Sequence, residues 1–280
     1  MRFLPEVFVI GAQKAGTTSL AYFLDQHPQV ALSNPKEPHF LTSNWQRGLK
    51  WYEDCYRGAG DRVLVDASTT YAMAPIWQGP YDNPPWGQEV PARLAALQPN
   101  ARLIYMLRNP VDRVWSSYWH SVRTGIEHQT FGRAIQTNRL YVAVSCYYAQ
   151  IELWLRHVPL DRIHFIDFRR FAKDPQGVTA ECIRFLDLPS FEPAPDRPRN
   201  QSYQYNALGR VMRDLAGGEH ALKTLVAPIR MLVPDSVRLL ARRMLSSPIP
   251  EMPEIEREKL KTEFAEDNAR LKALTGIDFG

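Results

Sequence analysis

The stretch V-F-V-I-G-A-Q-K-A-G-T-T-S-L, Val7 to Leu20, limits the fold more than any other part of this chain. An apolar run ends at Gly11 and a compact loop carries Lys14 and Gly16. Thr17, Thr18 and Ser19 then open a segment with apolar residues at Leu20, Phe23 and Leu24. The run reads as a buried strand and the spacing after it as an amphipathic helix. A strand, a tight loop and a helix N-terminus bring backbone N–H groups and the positive end of a helix dipole to one point, which suits a phosphate. Lys14 adds a mobile cation and the hydroxyls add donors. The first loop is therefore expected to grip a phosphorylated ligand.

Three further apolar runs, Val63–Val65, Leu103–Leu107 and Ile163–Phe168, each precede a polar loop and then a helical pattern. Strands alternating with helices imply an α/β fold with a central parallel sheet flanked by helices. Ligands of such sheets bind beyond the C-terminal strand ends. The candidate segments are then Lys14–Ser19, Asp66–Tyr71 and Arg108 onward. Proline-rich stretches follow at Pro75–Pro91, read as an ordered surface loop, and at Pro189–Pro198. From Tyr205 the pattern is helical, and Glu254–Leu274 has apolar residues near helical spacing.

With 280 residues, 45% of them hydrophobic, the chain can bury one large core, and one domain over 1–280 is favoured over two. A net charge of +4 fits an anionic small-molecule site better than a nucleic-acid surface. Cys55, Cys146 and Cys182 lack metal-ligand spacing and are too few for a disulfide framework, so a reducing, cytoplasmic setting is expected. No leader pattern and no apolar run long enough for a bilayer is seen.

The first loop, G-A-Q-K-A-G-T-T, departs from the triphosphatase pattern G-x-x-x-x-G-K-[ST]: Lys14 precedes the second glycine and Thr17 takes the usual lysine place. A second motif, R-N-P-V-D-R-V-W-S-S-Y, runs from Arg108 to Tyr118 directly after an apolar run. Pro110 suits the first turn of a helix. Ser116 follows Arg108 by about two helical turns. An arginine fork and a serine hydroxyl could hold a second phosphate from two sides.

Q-K-A-G-T-T-S-L followed by R-N-P-x-x-R-x-x-S-x-Y resembles the sulfotransferases that use 3′-phosphoadenosine 5′-phosphosulfate (PAPS). The resemblance is to their carbohydrate, heparan-sulfate type branch and its bacterial relatives. P-K-E-P-H-F at Pro35–Phe40, V-D-A-S-T-T-Y at Val65–Tyr71, S-x-Y-Y at Ser145–Tyr148, F-L-D-L-P at Phe185–Pro189 and L-T-G-I-D at Leu274–Asp278 extend it over nearly the whole chain. It implies a P-loop-like fold with a helical C-terminal third. Lys14, Ala15, Gly16, Thr17, Thr18 and Ser19 would hold the 5′-phosphosulfate, and Arg108 and Ser116 the 3′-phosphate. Tyr147 would line the nucleotide groove. Arg199 and Asn200, in a basic loop at Arg197–Ser202, would close over the donor. No metal requirement is implied.

Sulfuryl transfer to a hydroxyl needs a base for the acceptor proton. Glu37 and His39 lie two apart in K-E-P-H-F and share a face if the segment is extended. The resemblance favours Glu37 as base, with a pKa that burial would have to raise from ~4.3. His39 is the competing base, though a histidine bonded to backbone is its plainer reading. Lys14 would stabilise charge on the leaving oxygen. Relatives usually carry Glu-Lys where this chain has Asp66-Ala67. Lys36 or Arg123 could supply the missing charge, Asp66 could orient Lys14 or contact the acceptor, and Ser68 and Thr69 could donate to it.

Trp45, Trp51, Tyr52, Trp77, Tyr81 and Trp86 flank the expected acceptor side. Residues about 205–250 form an expected helical insertion or lid. Its basic segment 221–245 could lie on a membrane, but a helical hairpin packed on the core is favoured. The acceptor could be a glycan, a lipid or a small metabolite, through oxygen or nitrogen. A P-loop kinase or NTPase, or a non-catalytic binder of adenosine nucleotides, are the alternatives.

Overall fold

A computed structural model describes residues 4–74, 89–194, 204–217 and 244–280. Five strands form one sheet: β1 (Val7–Gly11), β2 (Val30–Leu32), β3 (Val63–Asp66), β4 (Arg102–Leu107) and β5 (Ile163–Asp167). Their order is β2-β3-β1-β4-β5, and every pair is parallel. Both faces of a parallel sheet are covered by crossover helices, so its strands are apolar throughout rather than alternating. β1 is buried at every position, and in β4 all residues after Arg102 are buried.

Four of the five strands fall on the apolar runs of the sequence. β2 was not foreseen, because three residues, V-A-L, carry no periodicity. The last run stops at Asp167, whose side chain accepts from the Arg169 N–H and caps a helix beginning at Phe168. A helix Val90–Leu97, with Pro91 in its first turn, replaces the end of the expected Pro75–Pro91 loop. The remainder of that loop, 75–88, lies outside the described residues.

The chain leaves β1 toward β2 on one side and leaves β4 toward β5 on the other. The adjacent ends of β1 and β4 are therefore the switch point at which an open α/β sheet binds its ligands. The helix Thr17–Asp25 follows β1, and the helix Pro110–Thr124 follows β4. Asn109 caps the second of these, accepting from the Val111 and Asp112 N–H groups at 3.0 and 3.3 Å.

The C-terminal third supplies a 22-residue helix, Glu254–Thr275, that buries Leu260, Phe264 and Leu271. Leu260 and Phe264 join a second apolar cluster with Val114, Tyr118, Phe131 and Val142. A short helix, Ala207–Leu215, follows the strand Gln204–Tyr205, which pairs with Ser246–Ser247. Residues 218–243, most of the expected lid, lie outside the described residues. No described helix is long and apolar enough to cross a membrane.

Candidate active site at the strand C-termini

All five strands are parallel, so the segments that follow them emerge along one edge of the sheet. In sheet order this edge carries the loop with Glu37, the turn Ser68–Tyr71, the Lys14 loop, Arg108 and Phe168. The expected donor residues therefore sit at the ends of β1 and β4, and the expected acceptor residues at the ends of β2 and β3.

Lys14 has φ +73° and Gly16 has φ +89°, so the first loop turns twice through left-handed backbone. Glycine enters that region without penalty, whereas lysine pays roughly 1–2 kcal/mol. Such conformations persist where the surroundings over-determine them, and they collect at functional sites. Gly16 is the N-cap of the helix Thr17–Asp25 and makes no side-chain cap; its carbonyl accepts from the Ser19 and Leu20 N–H groups, and the helix N-terminus at Thr17 and Thr18 suits an anion. A Cβ at Gly16 would lie 2.9 Å from the Phe168 ring. Thr17 and Ala15 are buried beneath the loop, while Thr18 is exposed.

Arg108 Nη1 donates to the Lys14 carbonyl at 3.0 Å, so the residue at the end of β4 braces the loop at the end of β1. Its guanidinium stands 5.2 Å from the centre of the Phe168 ring. Phe168 thus touches both expected phosphate sites. Local pattern does not mark it, because Phe168 ends the apolar run Ile163–Phe168 and looks like a strand residue. Ser116 is buried on the helix after Arg108, and the neighbouring Ser117 hydroxyl lies 3.4 Å from Gln13 Oε1. Arg113, of the same motif, is fully buried and donates to Ser145 and to the Tyr141 carbonyl.

Tyr147 does not stand on an open wall. It is fully buried edge-on to Tyr105 (5.9 Å) and beside Phe279 (6.2 Å), and burial pushes its hydroxyl pKa up to about 12. Its place is in the packing beneath the cleft. Arg199 and Asn200 lie outside the described residues, as do Trp77, Tyr81 and Trp86.

Glu37 and His39 do converge, although the segment is not the extended strand assumed from their spacing. His39 takes φ +50°, and its Nε2 comes within 3.8 Å of Glu37 Oε2. Lys36 Nζ donates to Glu37 Oε1 at 2.8 Å, and the Thr69 hydroxyl donates to Oε2 at 3.0 Å. Burial pulls the Glu37 pKa upward, but Lys36, Thr69 and His39 together hold it below the ordinary carboxylate value. The expected upward shift is thus corrected. Glu37 is ionised at neutral pH, hence able to accept a proton, but it is a weaker base than burial alone would make it.

Asp66 is fully buried and accepts from the Tyr52 and Tyr71 hydroxyls, each at 2.6 Å, and from the Ser68 N–H at 3.0 Å. Burial raises its pKa against those hydrogen bonds. It anchors two tyrosines under the site, which corrects its expected contact with Lys14 or the acceptor. Ala67, where the resemblance implies a lysine, is fully enclosed. Of the two residues expected to supply the missing charge, Lys36 lies at the site, paired with Glu37, while Arg123 Nη2 lies 2.9 Å from His120 Nδ1. Tyr52 is core, stacked on Phe40 at 4.1 Å, while Trp45 and Trp51 are half-buried under the guanidinium groups of Arg93 and Arg47. Among the described residues no group of three or more His, Cys, Asp or Glu is placed to hold a metal ion.

An α/β sheet with two loops expected to hold phosphate braced together at its switch point, and a carboxylate two strand-ends away, fits a P-loop-like transferase architecture. The sulfotransferase domain model matches residues 4–207, and the chain belongs to that PAPS-dependent sulfotransferase family. Heparan sulfate glucosamine 3-O-sulfotransferase 3B1 of Mus musculus is 30% identical over 195 residues, covering 66% of this chain and 46% of the relative. Heparan sulfate glucosamine 3-O-sulfotransferase 6 of Mus musculus is 27% identical over 288 residues, covering all of this chain and 74% of the relative. The chain spans about half the length of the first of these. A sulfotransferase of Alicyclobacillus acidocaldarius superposes with a TM-score of 0.69 at 25% identity, over 98% of this chain and 97% of the other.

Proposed function

We propose that this chain transfers the sulfuryl group of PAPS to a hydroxyl or amine of a glycan, a lipid or a small metabolite. The observation that carries the reading is the Arg108–Lys14 hydrogen bond, because it joins the two expected phosphate sites into one rigid unit at the switch point. Lys14, Gly16, Thr17, Thr18 and Ser19 would hold the 5′-phosphosulfate, and Arg108 and Ser116 the 3′-phosphate. The helix N-terminus after Gly16 fits that anion. The donor, when bound, supplies the activated sulfuryl group.

The chain's own part is positioning and proton transfer. The Glu37 carboxylate takes the acceptor proton, Lys14 offsets negative charge on the leaving side, and the Thr17 and Thr18 donors are fixed before the reaction starts. The low pKa of Glu37 fits this role in one respect: the proton-accepting form is the resting form. A cytoplasmic setting is part of the same reading, supported by three buried free thiols.

The test is incubation with isotope-labelled PAPS and a panel of N-sulfated heparan oligosaccharides, phenols and long-chain alcohols, read by mass spectrometry. Label in an acceptor, abolished in Glu37→Gln, is the expected outcome. Binding of adenosine 3′,5′-bisphosphate without transfer to any panel member would instead support a non-catalytic binder. ATP or GTP turnover would support the kinase alternative.

A further inference from the structure

The turn after β3 reads S-T-T-Y, and each of its residues grips the segment Glu37–Leu41. The Ser68 hydroxyl accepts from the His39 N–H at 2.9 Å. The Thr69 hydroxyl and N–H lie 3.0 and 3.4 Å from Glu37 Oε2. Thr70 Oγ1 lies 2.9 Å from His39 Nδ1 and 2.9 Å from Thr42 Oγ1. Tyr71 Oη accepts from the Leu41 N–H at 3.3 Å while donating to buried Asp66. Hydroxyls spent in this way are poorly placed to serve an acceptor, which is where the sequence put Ser68 and Thr69.

We propose that Ser68, Thr69 and Thr70 are positioning residues for the transfer: Thr69 orients the Glu37 carboxylate, and Thr70 holds the His39 ring with its Nε2–H toward that carboxylate. This rests on the reading of Glu37 as base.

A proton count supports the second half. Thr70 has one proton to give. If it donates to His39 Nδ1, then Thr42 donates to Thr70 in place of the His39 carbonyl, and the neutral ring carries its proton on Nε2, facing Glu37 at 3.8 Å. If it donates to Thr42, then Thr42 donates to the His39 carbonyl at 3.1 Å and His39 Nδ1–H donates to Thr70. In that case Nε2 turns a lone pair toward a carboxylate unless the ring is protonated. Every arrangement without repulsion puts a proton on Nε2, so His39 supports Glu37 rather than competing with it. The Ser68 bond also helps keep His39 at φ +50°, a conformation that needs tertiary support.

The charged groups facing Glu37 among the described residues are Lys36 and His39. Neither changes in Thr69→Val, which removes only a hydroxyl of the same shape. The Glu37 side-chain carboxyl is followed by ¹³C NMR titration in wild type, Thr69→Val and Thr69→Ser, its signal assigned with Glu37→Gln. Thr69→Ala stands in if the valine variant does not fold. Calorimetry with adenosine 3′,5′-bisphosphate runs beside it.

The midpoint is expected to rise by about half a pH unit in Thr69→Val and to return in Thr69→Ser, with nucleotide affinity unchanged. Thr70→Val is expected to change the ¹⁵N tautomer signature of the His39 ring. An unmoved Glu37 midpoint with intact nucleotide binding overturns the proposal. Failure of the wild type to bind the nucleotide overturns the donor assignment, and with it the reaction these residues would serve.

Discussion

At the scale of single residues, charge and conformation meet at Glu37 and at Gly16. The folded-state pKa of Glu37 lies below its unfolded value, so its carboxylate adds stability above pH ~4.3 that disappears as pH falls through the lowered folded value. Urea unfolding of wild type and Glu37→Gln should therefore show a stability difference that is constant above pH ~5 and narrows in more acid solution. A constant difference throughout would place the effect outside the titration.

Gly16 answers to both sterics and backbone. Gly16→Ala pushes a methyl against Phe168 and holds alanine at φ +89°, so it should weaken adenosine 3′,5′-bisphosphate binding by tenfold or more on the order of a 1–3 kcal/mol strain. Calorimetry reads this. Unchanged affinity would show that the loop reaches its binding geometry without the left-handed turn.

At the scale of elements, the helix Pro110–Thr124 carries Arg113 and Ser116, and its start is set by Asn109. That side chain accepts two N–H groups of the first turn and donates to the Phe279 carbonyl at 3.3 Å. Asn109→Ala should cost about 1 kcal/mol for the cap, read as a lowered urea midpoint with an unchanged slope. Much of this element was legible: R-N-P follows the apolar run and sets Pro110 in the first helical turn, while the Asn109 cap came from the structure. The buried role of Arg113 was not, since nothing local distinguishes a surface arginine from one that meets Ser145 and Tyr141 thirty residues away. The K-E-P-H-F segment shows the same divide. Its chemistry was readable, but the left-handed His39 and the grip of Ser68–Tyr71 arise only when β2 and β3 lie side by side.

At the scale of the whole molecule, the five strand ends form one edge, and the order β2-β3-β1-β4-β5 separates the proposed donor residues from the proposed acceptor residues along it. A ligand that spans β1 and β4 should stabilise the entire fold. Adenosine 3′,5′-bisphosphate at a hundred times its Kd should add about 2.7 kcal/mol, visible as a rise in Tm that follows ligand concentration. No shift at millimolar nucleotide would contradict the donor assignment.

By itself the sequence determined the α/β class, four of the five strands and the pairing of Glu37 with His39, and it marked the two loops expected to hold phosphate. These are written in local pattern: apolar runs, glycine position and proline. Only the tertiary structure decided that Arg108 braces Lys14, that Phe168 packs on both, that Asp66 and Tyr147 are buried supports, and that Glu37 is held below its ordinary pKa. Each of these is a contact between residues far apart in the chain. A pKa, a buried partner and the direction of a hydroxyl are set by such neighbours, which no local pattern encodes.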